Sequence, residues 1–317
     1  MKAPAMRQAL FFSRGNFKTS SLLHSPWQCK AKSMNTCAKI NLYLNIIRKR
    51  EDGYHDLETI FWPLPWLYDT VEVSLADNGI SMEIHGADLE ADSGNLCWKA
   101  AQAFIDASHL DIAPHINLTK RIPIAAGLGG GSSDAAATLI ELNSLSGFPL
   151  DKNTLHALAT SLGADVPFFL NPLPSLATGI GEKLSEIHFS PNTSNLDIIL
   201  ANPGFPVPAA WAYEHWQECF FDSNASLDNL LHAMETGDIS AVRQNVRNDL
   251  EHCIFAKFPI LSMIRSKMEE LGIADVHVSG SGPTLFGFAT ADTPADATTI
   301  LEQSFTGFLK CFRGVKQ

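Results

Sequence analysis

The chain has 317 residues, 45% of them hydrophobic and 18% charged, enough apolar material for one large domain or two ordinary ones. A net charge of −11 argues against a nucleic-acid surface, and no apolar run is long enough to span a bilayer, so the expected partners are small molecules rather than nucleic acid or membrane. The six cysteines (29, 37, 97, 219, 253 and 311) show no C-x-x-C spacing, which suggests neither a zinc knuckle nor a disulfide framework and predicts a reducing, cytoplasmic setting.

Residues 1–33 hold six Lys/Arg and no acid, which leaves about −17 on the remainder. An acid-free, basic, serine-containing leader has the composition of an organelle transit peptide. The alternative, which we adopt, is an overlong start with Met34 as the initiator, and little fixed structure is expected before it. "CAKINLYLNII" (37–47) alternates and predicts a strand. "DTVEVSLA" (69–76) and "ISMEIHG" (80–86) alternate across a D-N-G turn and predict a hairpin. "WPLPWLYD" (62–69) reads as an extended connection because of its prolines. Residues 95–108 have helical spacing, and 115–123 predict a strand running into a glycine-rich loop. Helices follow over 133–147 and 151–163, each ending on glycine, with "LNPLP" (170–174) as the best internal linker. A buried strand over 196–203, helices over 226–235, 238–250 and 259–271, a strand–turn–strand over 274–289 and a helix over 295–305 complete the chain. Antiparallel pairs mixed with helices make the class α+β.

The loop "PIAAGLGGGSSDAAA" (123–137) carries most of the chemical information. Four glycines in five positions keep the backbone permissive, and the alanines beyond them favour a helix. Free N–H groups at a helix N-terminus, helped by the helix dipole, bind anions, phosphate above all. Ser132 and Ser133 add hydroxyls that reach a phosphate or a metal. The Walker A pattern is absent, because Ser132 rather than lysine follows Gly131. The dinucleotide pattern is absent too, because it would need glycine at Ser132.

This loop closely resembles the second motif of the GHMP kinases, and "VSGSGPTLFGF" (278–288) resembles their third. "AKINLYLNIIRKREDGYHDLETIF" (38–61), "GADVPFFL" (163–170), "ATGIGEKL" (177–184) and "ANPGFPVPAAWAY" (201–213) resemble, in order, the branch that phosphorylates a cytidine-diphosphate-linked methylerythritol. The resemblance implies a two-domain α+β fold: an ATP-binding half over 34–177 like ribosomal protein S5 domain 2, and a ferredoxin-like substrate half over 178–317. It implies transfer of phosphate from ATP, with Mg2+ as its companion, to the 2-hydroxyl of that alcohol, a step of non-mevalonate isoprenoid synthesis.

Phosphoryl transfer to an alcohol needs positioning and charge stabilisation, a carboxylate to take the proton, and a cation that keeps the carboxylate ionised. The resemblance puts these roles on Asp165 and Lys39. It assigns ATP to Pro123, Ile124, Ala125, Ala126, Gly127, Leu128, Gly129, Gly130, Gly131, Ser132 and Ser133, with Asn95 and Leu96 at the adenine. Tyr54 stacks on cytosine, His55 reads its edge, and Tyr213 is a second stacking aromatic with Trp211 as its rival. Asn41, two residues beyond Lys39, shares its strand face and contacts the alcohol or the catalytic pair. The remaining histidines show no metal spacing, and no metal-ligand set or oligomeric state is assigned. Two other readings stay open: a homoserine- or mevalonate-type kinase, against which "KREDGYH" speaks, and a non-enzymatic nucleotide binder, against which Lys39 and Asp165 together speak.

Overall fold

The computed structural model describes residues 31–217 and 225–314. Most of the leader, and Cys219 with it, lie outside the described residues.

Strand β1 (Lys32–Lys49) pairs antiparallel with β2 (His55–Leu75). Lys32 and Ser33 are already in β1, opposite Val73 and Glu72, so the sheet takes in residues ahead of Met34. The proline-rich stretch over 62–69 is not a separate connection. It is part of β2, because the register shifts between Cys37 and Ala38 and leaves residues 65–67 without partners, which absorbs Pro65. The expected hairpin over 69–86 does not form. Strand β3 (Ser81–His85) pairs instead, in parallel, with β4 (Pro114–Thr119), which lies between it and β2. The intervening helix α1 (Leu96–Ser108) makes that crossover possible, and the fully buried Ile116 and Leu118 make β4 the better central strand. Asn95 caps α1 by accepting from the Cys97 N–H at 2.9 Å.

Helix α2 (Gly130–Leu145) starts three residues earlier than its composition indicates, so Gly130 and Gly131 are helical. Helix α3 (Lys152–Leu162) is capped by Asp151 and precedes a 3-10 turn over Val166–Leu170. Strands β5 (Ser175–Gly179) and β6 (Lys183–Glu186) continue the first sheet from β2, so position 177 falls within a strand of that sheet.

The second sheet is antiparallel, in the order β11–β7–β10–β9, built from β7 (Ile198–Asn202), β9 (Ile273–Val278), β10 (Leu285–Ala289) and β11 (Lys310–Arg313). Between β7 and β9 come helices α4 (Ala209–Glu214), α5 (Leu227–Thr236) and α6 (Ile239–Gln244). The two-residue strand β8 (Arg247–Asn248) pairs with β1, and α7 (Glu251–Lys257) and α8 (Pro259–Glu270) follow it. The helix expected over 238–250 therefore stops at Gln244, and its last residues cross to the other sheet. Helix α9 (Ala297–Ser304) precedes β11.

Three apolar clusters hold the layers together. Helices α1–α3 and the 3-10 turn pack on the first sheet through Phe104, Leu139, Leu142, Ala159 and Phe168. Ile40, Leu42 and Ile60 of that sheet meet Leu200, Phe286 and Phe288 of the second. Ile199, Leu261, Ile264 and Leu301 close the far side. No described helix is long and apolar enough to cross a membrane.

Candidate active site

The glycine loop is fixed from two sides. The Lys39 N–H, opposite Pro63 in the β1–β2 ladder, donates to the Leu128 carbonyl at 2.9 Å. The turn after β9 supplies the other side: Ser279 Oγ donates to the Gly127 carbonyl at 2.9 Å. Gly127 has φ +75°, and a Cβ there would sit 2.1 Å from the Ser279 carbonyl oxygen, so only glycine fits. Asn248 holds the turn itself, its amide donating to the Val278 and Gly280 carbonyls at 2.8 Å each. The two glycine motifs, 150 residues apart in the chain, thus form one packed unit.

Helix α2 has no side-chain cap, so the N–H groups of its first turn are left for a ligand. They face a cavity of about 350 Å³ lined by Asn95, Leu96, Pro123–Gly127, Gly129–Ser132, Lys120 and Asp134. Nearly every residue expected at ATP is here. Leu128 and Ser133 are not. Leu128 is buried in the apolar layer between the sheets. The Ser133 hydroxyl donates to the Gly130 carbonyl at 2.8 Å, because the early start of α2 turns it into the helix.

Beneath this cavity lies an ion cluster that sequence reading missed. Lys120 bridges Asp69 and Asp134, the latter at 2.7 Å, and all three side chains are buried. Asp69 also accepts from the Arg121 and Ile122 N–H groups at 2.5 and 2.8 Å. The cluster therefore ties the start of the loop to the first turn of α2. Burial pushes the Asp134 carboxyl well above its ordinary value, against the pull of Lys120. Burial opposes the Lys120 ammonium, but the two carboxylates outweigh it and raise its pKa. Nothing local in "LTKRIP" signals this cluster, since Asp69 comes from 51 residues away.

A second, larger cavity of about 780 Å³ shares Gly127, Gly129 and Ser132 with the first. Lys39, Asn41, Tyr54, His55, Asp165 and Tyr213 all line it. Lys39 Nζ is 3.3 Å from the Asp165 carboxylate, donates to Asn41 Oδ1 at 2.8 Å and stands 5.0 Å from the Phe61 ring centroid. The ammonium is 5% exposed and the carboxylate 34%, so the acid faces the cavity and the lysine is held behind it. A Cβ at Gly280 would come within 3.1 Å of Asn41 Oδ1, which explains the closeness of the 279–283 turn to this pair.

The aromatic end of the cavity is also assembled. The His55 and Tyr213 rings stack at 5.5 Å with 29° between planes, and Trp216 meets His55 edge-on at 5.7 Å. Trp211 does not line this cavity: residues two apart on α4 face opposite sides, and its ring meets His215 and Phe258 instead. Tyr54 stands 60% exposed at the rim. Burial, aided by Lys49, lowers the His55 pKa, which favours the neutral imidazole. Burial, aided by the Asp165 charge, raises that of Tyr213.

The chain matches the family description "GHMP kinases N terminal domain" over residues 95–171 and "GHMP kinases C terminal" over 230–306. It is 41% identical to the 4-diphosphocytidyl-2-C-methyl-D-erythritol kinase of Chlorobium phaeobacteroides (strain BS1), over 80% of this chain and 88% of that one. The chain belongs to this family of GHMP kinases. The corresponding protein of Geobacter metallireducens is 34% identical over 90% of this chain and 99% of its own. A crystal structure of 4-(cytidine 5'-diphospho)-2C-methyl-D-erythritol kinase matches 89% of this chain and 98% of that chain, with 34% identity and a TM-score of 0.74. A homoserine kinase from Cytophaga hutchinsonii shares the fold at 17% identity and a TM-score of 0.66.

Proposed function

We propose that this chain transfers the γ-phosphoryl group of ATP to the 2-hydroxyl of 4-(cytidine 5'-diphospho)-2-C-methyl-D-erythritol. The carrying observation is the Lys39–Asp165 pair at 3.3 Å, set beside the glycines that two cavities share. The smaller cavity takes ATP, with Asn95 and Leu96 at the base and the α2 N-terminus at the phosphates. The larger takes the alcohol. The two ligands meet over Gly127, Gly129 and Ser132, which brings the alcohol next to the triphosphate as a direct transfer requires.

Asp165 accepts the hydroxyl proton as the oxygen attacks. Lys39 keeps that carboxylate ionised and offsets the charge that develops on the transferred group. The backbone N–H groups of 129–132 hold the phosphates without a lysine in the loop. Tyr213, His55 and Tyr54 offer cytosine a face and an edge, and the neutral imidazole can donate from one nitrogen and accept at the other. Mg2+ would enter as a cation carried on the triphosphate, and the Ser132 hydroxyl, which lines the smaller cavity, would be the side chain to hold it. Such an ion keeps most of its waters and needs few protein ligands, and no cluster of three His, Cys, Asp or Glu occurs among the described residues. When bound it would neutralise phosphate charge. The boundary between the halves belongs in the 187–197 segment, between β6 and β7.

The test is an ATP-coupled assay on this alcohol, mevalonate and homoserine. Turnover on the cytidyl alcohol alone, lost in Asp165→Asn, supports the reading. Turnover on mevalonate or homoserine with none on the cytidyl alcohol refutes it.

A further inference from the structure

Thr59 lies on β2 opposite Leu44, 1% exposed, next to the register shift between Asn41 and Tyr43. Its hydroxyl has one proton, and that proton is committed: Thr59 Oγ1 donates to the Tyr43 carbonyl at 2.5 Å. Toward Asn41 the hydroxyl oxygen can therefore only accept. Asn41 must then present its NH2 group to Thr59, at 2.7 Å, and its carbonyl oxygen to Lys39, at 2.8 Å. The opposite amide orientation would set two donors, the NH2 and the ammonium, against each other in a site where Lys39 is 4% and Asn41 3% exposed. The ammonium is thereby held between the Asn41 carbonyl oxygen at 2.8 Å and the Asp165 carboxylate at 3.3 Å.

We propose that Thr59 is a positioning residue: its hydroxyl fixes the orientation of the Asn41 amide and, through it, the aim of the Lys39 ammonium at Asp165. This rests on the roles given to Lys39 and Asp165 above. Thr59 borders the larger cavity, but its hydroxyl is spent on two protein partners, the Tyr43 carbonyl and the Asn41 amide. What it supplies is a direction, which an apolar side chain of the same shape cannot supply.

The experiment compares Thr59→Val, Thr59→Ser, Asn41→Ala, Lys39→Ala and Asp165→Asn by steady-state kinetics with ATP and the cytidyl alcohol. In Thr59→Val, kcat falls on the order of tenfold to a hundredfold, the range for one buried hydrogen bond serving a charged group. The KM for ATP stays within about twofold, since the phosphate loop is untouched. Thr59→Ser, which restores the hydroxyl, recovers most of kcat. Thr59→Val adds little loss to Asn41→Ala, because the group it orients is gone. Thr59→Ala, which also lacks the hydroxyl and avoids any crowding by the second γ-methyl, carries the same expectation should Thr59→Val fail to fold. A normal kcat in Thr59→Val or Thr59→Ala, a loss that serine does not restore, or full additivity with Asn41→Ala overturns the proposal. If Lys39→Ala and Asp165→Asn are inactive while Thr59→Val is normal, only the positioning role falls. If those two variants keep turnover, the catalytic reading falls and the positioning role with it.

Discussion

Replacing Lys120 by methionine keeps the stem of the side chain and removes the charge. Asp69 would still accept from two backbone N–H groups, but Asp134 would lose the one ion-pair partner it has among the described residues, where its Oδ1 already lacks a hydrogen-bond partner. Breaking a buried ion pair from one side typically costs about 3–5 kcal/mol, because an uncompensated charge stays behind. Asp134 can lessen that cost only by holding a proton. In the wild type, burial already raises its pKa above the ordinary 3.8, so stability falls as pH rises from there through the folded-state value. Removing Lys120 takes away the main influence that lowers it, so the window extends to higher pH in the variant. Each pH unit inside the window is worth about 1.4 kcal/mol per proton, so between pH 7 and 8.5 the variant loses up to about 2 kcal/mol more than the wild type. Urea unfolding of both proteins at these two pH values reads this directly. A total loss below about 1 kcal/mol, or the same loss at both pH values, would refute the reasoning.

Four further outcomes are expected. Asp165→Asn nearly abolishes turnover while ATP binding, followed by calorimetry, is largely kept, because the phosphate loop is intact. Tyr213→Ala lowers kcat/KM on the cytidyl alcohol roughly tenfold to a hundredfold, as expected for about 1–3 kcal/mol of stacking, whereas Trp211→Ala lowers the melting temperature and leaves specificity alone. In an NMR titration His55 has its midpoint below 6.5, and Lys49→Met moves it up but not fully back, since burial is the larger cause. Gly127→Ala loses ATP affinity and stability together, because its Cβ meets the Ser279 carbonyl at 2.1 Å on a backbone with positive φ.

What the sequence disclosed was what local pattern encodes. The glycine run before the alanines marks the α2 N-terminus, although Gly130 and Gly131 prove helical once tertiary contacts outweigh their poor propensity. The buried strand over 196–203, the helices over 95–108 and 151–163, and the strand–turn–strand over 274–289 were similarly legible. Non-local pairing was not. The alternation of 80–86 announces a strand but not its neighbour, and β4 displaced the nearer β2. Residues 247–248 leave a helical pattern because β1 offers them hydrogen bonds from 200 residues away. In the site, Lys39, Asn41, Asp165, His55 and Tyr213 stood in motifs, and the structure brings them to one cavity. Lys120, Asp69 and Asn248 stand outside the motifs, and Asp134 and Thr59 stand inside them with no role marked, because each acts through a contact that only the folded chain creates. The choice between Tyr213 and Trp211 depended on the phase of the short helix α4, which its proline-rich approach obscures.

Catalytic efficiency with ATP, measured side by side on the full cytidyl diphosphate of methylerythritol and on methylerythritol phosphate lacking the cytidyl group, tests the central claim most directly. If the remote aromatic site positions the hydroxyl against Asp165, the cytidyl substrate is favoured by at least about tenfold, the worth of a stacked base. Equal efficiency on the two alcohols would contradict the account.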